Sequence, residues 1–340
     1  MLRLLKALLI GALLVALAGG AGLWWALQQP LPLAGGATVD VDIPPGTGAR
    51  GVAQRISDAG VQVPAWLLFA GLRLSGQSRD VKAGFYAVEP GTTAPALLGK
   101  LVRGEQSLIS VTLIEGWTAR QVLQALANTP ELRDDLSVRN PAQATDAAMA
   151  EVMALIGRPG VHPEGRFFPD TYRVARRSPA SGVLVAAARA MDERLAEVWA
   201  ARDPSVPLKS PEEALILASI VEKETGLEAD RGRIAGVFAN RLRIGMRLQT
   251  DPTVIYGLGV RFDGNLRRRD LDTDTPYNTY TRAGLPPTPI AMPGLASLRA
   301  AVRPEATDAL YFVARGDGSS QFSATLDAHN AAVRRYILQR

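Results

Sequence analysis

"LASIVEKETG", residues 217–226, decides how this chain is read. An aliphatic run that must be buried ends in two glutamates flanking a lysine. Burying an ionised carboxylate is costly unless it is paired, and a carboxyl against apolar walls often responds by holding its proton. Upstream, "SPEE" (210–213) places Ser210 as an N-cap, Pro211 at the first helical position and Glu213 to close a capping box. Gly226 supplies the expected stop. The helix between them is apolar nearly all round, which makes it central to its domain. At about 100° per residue, Leu217, Ile220 and Val221 lie within roughly 60° of Glu224, whereas Glu222 is about 160° away, beside Leu215, Ala218 and Ser219. The two carboxylates cannot share one site on this helix. Glu224 is the better candidate for an inward carboxyl, unless it only pairs with an arginine of "RGRIAGVFANRLR" (231–243).

Downstream, Asp230 is expected to open a second helix with Ile234, Val237, Phe238 and Leu242 on one face. Gln249, Thr250 and Asp251 then read as a loop stopped by Pro252. "TDTPYNTYTRAGLPPTPIAMPG" (273–294) packs prolines and glycines with Tyr277, Asn278 and Tyr280. A long irregular loop of this composition suits carbohydrate, with flat faces to stack on and amides to hold hydroxyls. "ALYFVARGDGSSQFSAT" (309–325) reads as a β-hairpin turning at Gly316–Ser320, and its RGD as turn chemistry.

Toward the N-terminus a pattern recurs three times: "VDIPPGTGARGVAQRI", "YAVEPGTTAPALLGKL" and "VTLIEGWTARQVLQAL". Each combines a β-prone run, a turn at Gly46, Gly91 or Gly116, and a threonine (Thr47, Thr93, Thr118) placed to cap an amphipathic helix. Together they predict a compact α+β module over 39–127. Between 128 and about 205, "AQATDAAMAEVMALIG" and "GVLVAAARAMDERLAEVWAARD" read as amphipathic helices. The aromatic, turn-rich "PEGRFFPDTYRV" (163–174) between them is either core at a domain junction or a cleft wall.

At the front, "MLRLLK" is followed by an uncharged run from Ala7 to Leu27, ending in Trp24 and Trp25. About 20 apolar residues span a bilayer, so this predicts a transmembrane anchor, with Arg3 and Lys6 holding the N-terminus in the cytoplasm. A cleaved signal peptide ending at the "ALA" of 16–18 is the competing reading. Both export the remainder. The expected organisation is a tip and anchor (1–28), a Pro/Gly-rich linker (29–38), the module (39–127), and linking helices with a catalytic domain (128–340).

The chain has 340 residues and a formal charge of +5, with no cysteine and only His162 and His329. Cysteine nucleophiles, lipoprotein attachment and a histidine-rich metal site are thereby excluded. Scattered arginines without interleaved aromatics argue against nucleic acid and favour an anionic wall polymer or membrane surface. Carboxylates remain for catalysis, and carboxylate chemistry on an exported protein suggests glycoside cleavage. A wall-binding scaffold is the alternative.

"ASIVEKETG", "IAGVFANRLRIGMRLQTDPTVIYGLG", "DTPYNTYTRAGLPPTPIAMPG" and "LYFVARGDGSSQFSATLDAHN" resemble the endolytic murein transglycosylases of the YceG-like (MltG) family. "GRFFPDTYRV" is similar to that family's stretch before the catalytic domain. The similarity is dense from about 165 to 335 and looser over 40–127, where the family has a LysM-like module. The resemblance implies an α+β chain: an N-terminal transmembrane helix, a small LysM-like module, and a mixed α+β catalytic domain with a lysozyme-like catalytic helix.

It also implies cleavage of peptidoglycan between N-acetylmuramic acid and N-acetylglucosamine. The products would be 1,6-anhydromuramoyl ends, formed at the periplasmic face of the inner membrane, without metal or cofactor. A polymerising peptidoglycan synthase is the implied partner. Lytic transglycosylases generally place their glutamate in a Glu–Ser pair after an apolar helix, and Glu224–Thr225 is the nearest match. Glu222 remains the alternative; on its own face it is expected to pair with an arginine of 231–243. Gln249, Asn278 and Asn240 are expected to hold N-acetyl and hydroxyl groups, and Tyr277 and Tyr280 to stack on or donate to sugars. Asp251 would be the second carboxylate of a hydrolase.

Overall fold

The structure is a computed structural model describing residues 2–136, 138 and 140–338. The chain separates into two compact units, 1–109 with 174–177, and 110–173 with 178–340.

The first unit begins with helix α1 (Leu2–Gln28). Among the described residues no helix is long and apolar enough to cross a membrane. The expected span over 7–27 lies within α1, and several of its side chains fall outside the described set. Strand β1 (Val39–Ile43), helices α2 (Ala49–Asp58) and α3 (Ala65–Leu74), strand β2 (Gly84–Val88) and helix α4 (Ala94–Arg103) follow. β1 and β2 pair antiparallel with Val41 opposite Tyr86. The two-residue period of the strand turns Val39, Val41 and Ile43 inward, onto Val52 and Ile56 of α2 and Leu97 and Leu101 of α4. Gly46 and Gly91 take the left-handed conformation their turns require. Thr93 caps α4 as expected. Thr47 does not cap α2: its hydroxyl donates to the Pro44 carbonyl, and Gly48 occupies the cap position.

The third strand–turn–helix repeat parts company with the first two. Its strand β3 (Leu108–Thr112) pairs with β4 (Thr171–Ala175) rather than with β1 or β2. Its helix α5 (Ala119–Ala127), closed by a full Thr118–Gln121 capping box, belongs to the second unit. The expected module boundary at 127 therefore does not coincide with the division between compact units.

The second unit continues with α6 (Asp146–Leu155), α7 (Ala180–Ala200), α8 (Pro211–Glu224), α9 (Glu228–Arg243), α10 (Asp251–Leu258) and α11 (Arg268–Asp272). After the irregular stretch 273–294 come α12 (Leu295–Val302), the hairpin β5 (Tyr311–Ala314) and β6 (Ser320–Ser323), and α13 (Leu326–Val333). Phe167 and Phe168 of "GRFFPD" are buried, so that segment serves as core.

α8 is the centre of this unit. Every residue from Ala214 to Val221 is buried, and the helix packs against α7, α9, α10 and α12. Each fully buried aliphatic side chain of this kind contributes about 1.5–3 kcal/mol. Buried Ser219 is satisfied by donating to Ile216 O at 2.7 Å and accepting from the Ile290 amide at 3.0 Å, which ties the 273–294 stretch to the helix. Ser210 caps the helix, but Glu213 reaches past it to the Lys209 amide. The helix ends on Glu224 because Thr225 is extended; Gly226 supplies no left-handed cap.

Candidate active site

Glu224 is the last helical residue of α8, so burial of the preceding two turns fixes where its carboxyl can point. Thr250, the N-cap of α10, donates its hydroxyl to Glu224 Oε1. Pro252 does not stop a loop here. It sits in the first turn of α10, where a missing N–H costs nothing, and its fixed φ helps start the helix. The side chain keeps partial contact with solvent, yet protein surrounds the carboxyl closely. Desolvation pushes its pKa up to about 7, with Asp251 adding to the rise while Thr250 and Arg241 oppose it. A carboxyl poised there can hold a proton at neutral pH and also give it up.

The loop facing Glu224 is held by a buried cation. Arg241 of α9 donates through Nη1 to Leu248 O at 2.5 Å and through Nε to Leu310 O at 2.7 Å. Next in the chain, Gln249 adopts φ 48°, a left-handed conformation uncommon outside glycine, and its side chain is exposed. Asp251 accepts from the Tyr280 hydroxyl at 2.5 Å. Structure thus brings Glu224, Gln249, Asp251 and Tyr280 of the expected residues to one corner.

The remaining expected residues are placed differently. Asn278 is buried; its amide donates to the carbonyls of Asp270, Leu271 and Thr273, and its oxygen accepts from the Tyr280 amide. No polar atom is left over for a sugar, so Asn278 is an anchor of the 273–294 stretch. Asn240 similarly spends its amide on Thr307 O and Ala309 O, and its oxygen accepts from Arg243. Tyr277 stands half-buried with its hydroxyl on Thr288 at 2.8 Å and its ring edge-on to Tyr256. Glu222 lies apart from Glu224, as the helical geometry requires. Its bond is to the Gly294 amide at 2.9 Å, not to an arginine of α9. Glu115, beside Glu222, has its pKa raised by desolvation and then by the neighbouring charge.

Two features escape sequence reasoning. Thr250 lies between Gln249 and Asp251, but its hydroxyl has no direction until α8 and α10 meet. Glu164 lies in the aromatic, turn-rich run 163–174, where nothing local marks it as buried. It is 4% exposed and accepts from the Ala119 amide at 2.9 Å and the Tyr256 hydroxyl at 3.0 Å. Desolvation pushes its pKa up to about 7, against those two hydrogen bonds and the charge of Arg120. Nearby Arg120, His162 and Met149 line a cavity of about 280 Å3 with Glu164 and Tyr256. The following Gly165, at φ 77°, would place any Cβ 2.6 Å from Pro289, so close packing forces glycine there.

One sheltered carboxyl with a hydroxyl donor, at the end of a buried helix in an α+β chain, has the proton affinity that general acid–base chemistry requires. The chain belongs to the YceG-like family, whose model matches residues 41–335. A Bacillus subtilis protein named endolytic murein transglycosylase is 32% identical over 332 residues, covering 94% of this chain and 91% of the relative. A Streptococcus pneumoniae protein of the same name is 26% identical over 356 residues; the match covers 95% of this chain but 63% of that protein. The crystal structure of a YceG-like protein from Listeria monocytogenes, 29% identical, superposes with a TM-score of 0.53, covering 86% of this chain and 98% of that one.

Proposed function

We propose that the protein is an endolytic murein transglycosylase, cutting peptidoglycan strands between N-acetylmuramic acid and N-acetylglucosamine and leaving 1,6-anhydromuramoyl ends. Membership of the YceG-like family and the names of the relatives support the activity. The observation that carries the mechanism is the Glu224 carboxyl, pushed up to about 7 and gripped on one oxygen by Thr250.

In this reading Glu224 starts protonated. It gives its proton to the glycosidic oxygen as the bond to the muramoyl C1 breaks, releasing the 4-hydroxyl of N-acetylglucosamine. The resulting carboxylate takes the proton of the muramoyl C6 hydroxyl, whose oxygen bonds C1. The 1,6-anhydro ring closes, no water is consumed, and Glu224 is protonated again. Thr250 stabilises the intermediate carboxylate. Asp251, already engaged by Tyr280, raises the proton affinity of Glu224 by its charge. A hydrolase would instead need a second carboxylate to activate water or form a covalent intermediate.

To the stretch 39–127, LysM-like by resemblance, we assign the binding of glycan or the holding of the catalytic domain at a fixed height above the bilayer. The uncharged run Ala7–Leu27 supports an inner-membrane anchor with the catalytic unit in the periplasm, beside a strand-polymerising synthase. The deciding experiment is mass spectrometry of peptidoglycan digested with the full chain in detergent. Anhydro ends are expected; new reducing ends would make it a hydrolase, and intact strands a scaffold.

A further inference from the structure

The first unit carries an apolar groove of about 380 Å3 walled by three helices: Gly20, Trp24 and Leu27 of α1, Leu68 and Leu72 of α3, and Leu98 of α4. Among the described residues no charged side chain lines it, and its one hydroxyl is spent on backbone. Ser75 donates to Leu72 O at 2.8 Å and accepts from the Gln77 amide at 3.2 Å. Helix α3, "AWLLFAGLRL", has Arg73 as its single charge and ends at Leu74, 73% exposed on the groove. Trp24 and its neighbour Trp25 are exposed too.

Direct packing holds these walls together. α3 approaches α1 at Gly71, where a Cβ would stand 3.6 Å from Leu27 Cδ2, and α4 packs on α1 as well. The Pro/Gly-rich stretch after α1, which reads as a linker, is pinned at once. The Leu31 amide donates to Thr92 O at 2.8 Å, beside the N-cap of α4, and the Gln62 amide donates to Pro32 O at 2.7 Å. Leu31 and Leu33 are buried in the core of this unit. α3 and α4 therefore keep a fixed position against the end of α1.

Depth follows from helix geometry. At 1.5 Å per residue, Gly20 lies about 10 Å below Leu27 along α1. With the uncharged run spanning the bilayer and ending at Leu27, Gly20 is inside the hydrocarbon and Trp24 near its interface, where tryptophan is favoured. A groove walled on one side by Gly20 and Trp24 lies at the same depth on its other side. α3 and the start of α4 then sit in the outer boundary of the bilayer, where an apolar groove meets acyl chains and not water.

We propose that this groove is filled by a phospholipid acyl chain of the periplasmic leaflet, which makes α3 a second membrane contact of the first unit. The proposal rests on the inner-membrane anchor above and adds to it. The chain grips the bilayer with a groove as well as a span, and the first unit does not swing on a free linker.

The test places the full wild-type chain in vesicles of phosphatidylethanolamine and phosphatidylglycerol that contain a phospholipid with a diazirine midway along one acyl chain. After illumination, adducts are mapped by peptide mass spectrometry. They are expected on α3 and α4 as well as over residues 7–18, which report the span alone. Leu74→Glu, at an exposed position outside the core, should lower the α3 and α4 adducts about tenfold and leave those over 7–18 unchanged. Adducts confined to 7–18 overturn the proposal, whether water or a second copy of the chain fills the groove. So does an unchanged yield on α3 and α4 in the Leu74→Glu protein. Adducts on α3 and α4 with none over 7–18 would instead break the anchor reading and leave lipid in the groove; no adducts anywhere overturns both.

Discussion

Two corners of the second unit hold a glutamate whose pKa burial pushes up to about 7, and they are built for opposite ends. At the end of α8, Glu224 keeps some contact with solvent and receives one side-chain hydroxyl, from Thr250, on one oxygen. Behind α10, Glu164 is 4% exposed at the wall of its cavity, and each of its oxygens already accepts a donor, from the Ala119 amide and from Tyr256. The same proton affinity therefore means different things. A carboxyl with a free oxygen and an open approach can pass a proton to a substrate. A carboxyl saturated by the protein can only hold two elements together, here the N-terminus of α5 and the flank of α10. Perturbed titration marks both corners, and accessibility separates them.

The largest effect that could break this contrast is on chemistry. Glu224→Gln should lower the rate of anhydro-end formation by about a thousandfold or more while leaving strand binding and the melting midpoint in place. A rate near wild type would move the role to Glu222. Glu164→Ala should do the reverse, leaving two buried donors without an acceptor. The expected cost is about 3 kcal/mol in denaturant unfolding, with activity per folded molecule far less affected. If Glu164→Ala protein unfolds normally but has lost turnover, the Glu164 corner is part of the chemistry after all.

Stability should also depend on pH with a defined sign. A carboxyl whose folded pKa is raised binds its proton more tightly in the folded chain than in the unfolded one, which titrates near 4.3. The contribution is fully present below about pH 4, declines as pH rises toward 7, and levels off beyond. For the buried Glu164 the loss across that window is on the order of 3 kcal/mol, and for the part-exposed Glu224 less. Unfolding measured from pH 4 to 8 should therefore show a shallower decline in Glu164→Gln than in wild type; parallel curves would contradict the burial account.

Smaller effects sharpen the picture. Thr250→Val removes the hydroxyl that stabilises the Glu224 carboxylate, so the carboxyl should titrate higher and kcat fall about tenfold, with the alkaline limb of the pH–rate profile moved upward. Least of all, Glu222→Gln should cost less than about 1 kcal/mol, since the new amide oxygen can still accept from Gly294.

Much of this was legible locally. The three glycine turns take left-handed backbone where the repeats placed them, and the buried face of α8 runs through Leu217, Ile220 and Val221 to Glu224. The hairpin lies where its alternation predicted, with Gly316 and Gly318 in its turn. These features depend on residues a few positions apart, so periodicity and turn chemistry suffice to specify them.

What only the tertiary structure decided is which polar groups meet. Thr250 reaches Glu224 across 26 positions, Gly294 reaches Glu222 across 72, and Tyr256 reaches Glu164 across 92. Asn278 looked like a sugar ligand because loop amides often are, but packing placed it in the interior, where backbone carbonyls take its amide hydrogens and the Tyr280 amide takes its oxygen. A polar side chain's intrinsic chemistry is written in its identity. Whether that chemistry is available to a substrate depends on which unpaired backbone groups the fold brings beside it, and burial makes satisfying them obligatory.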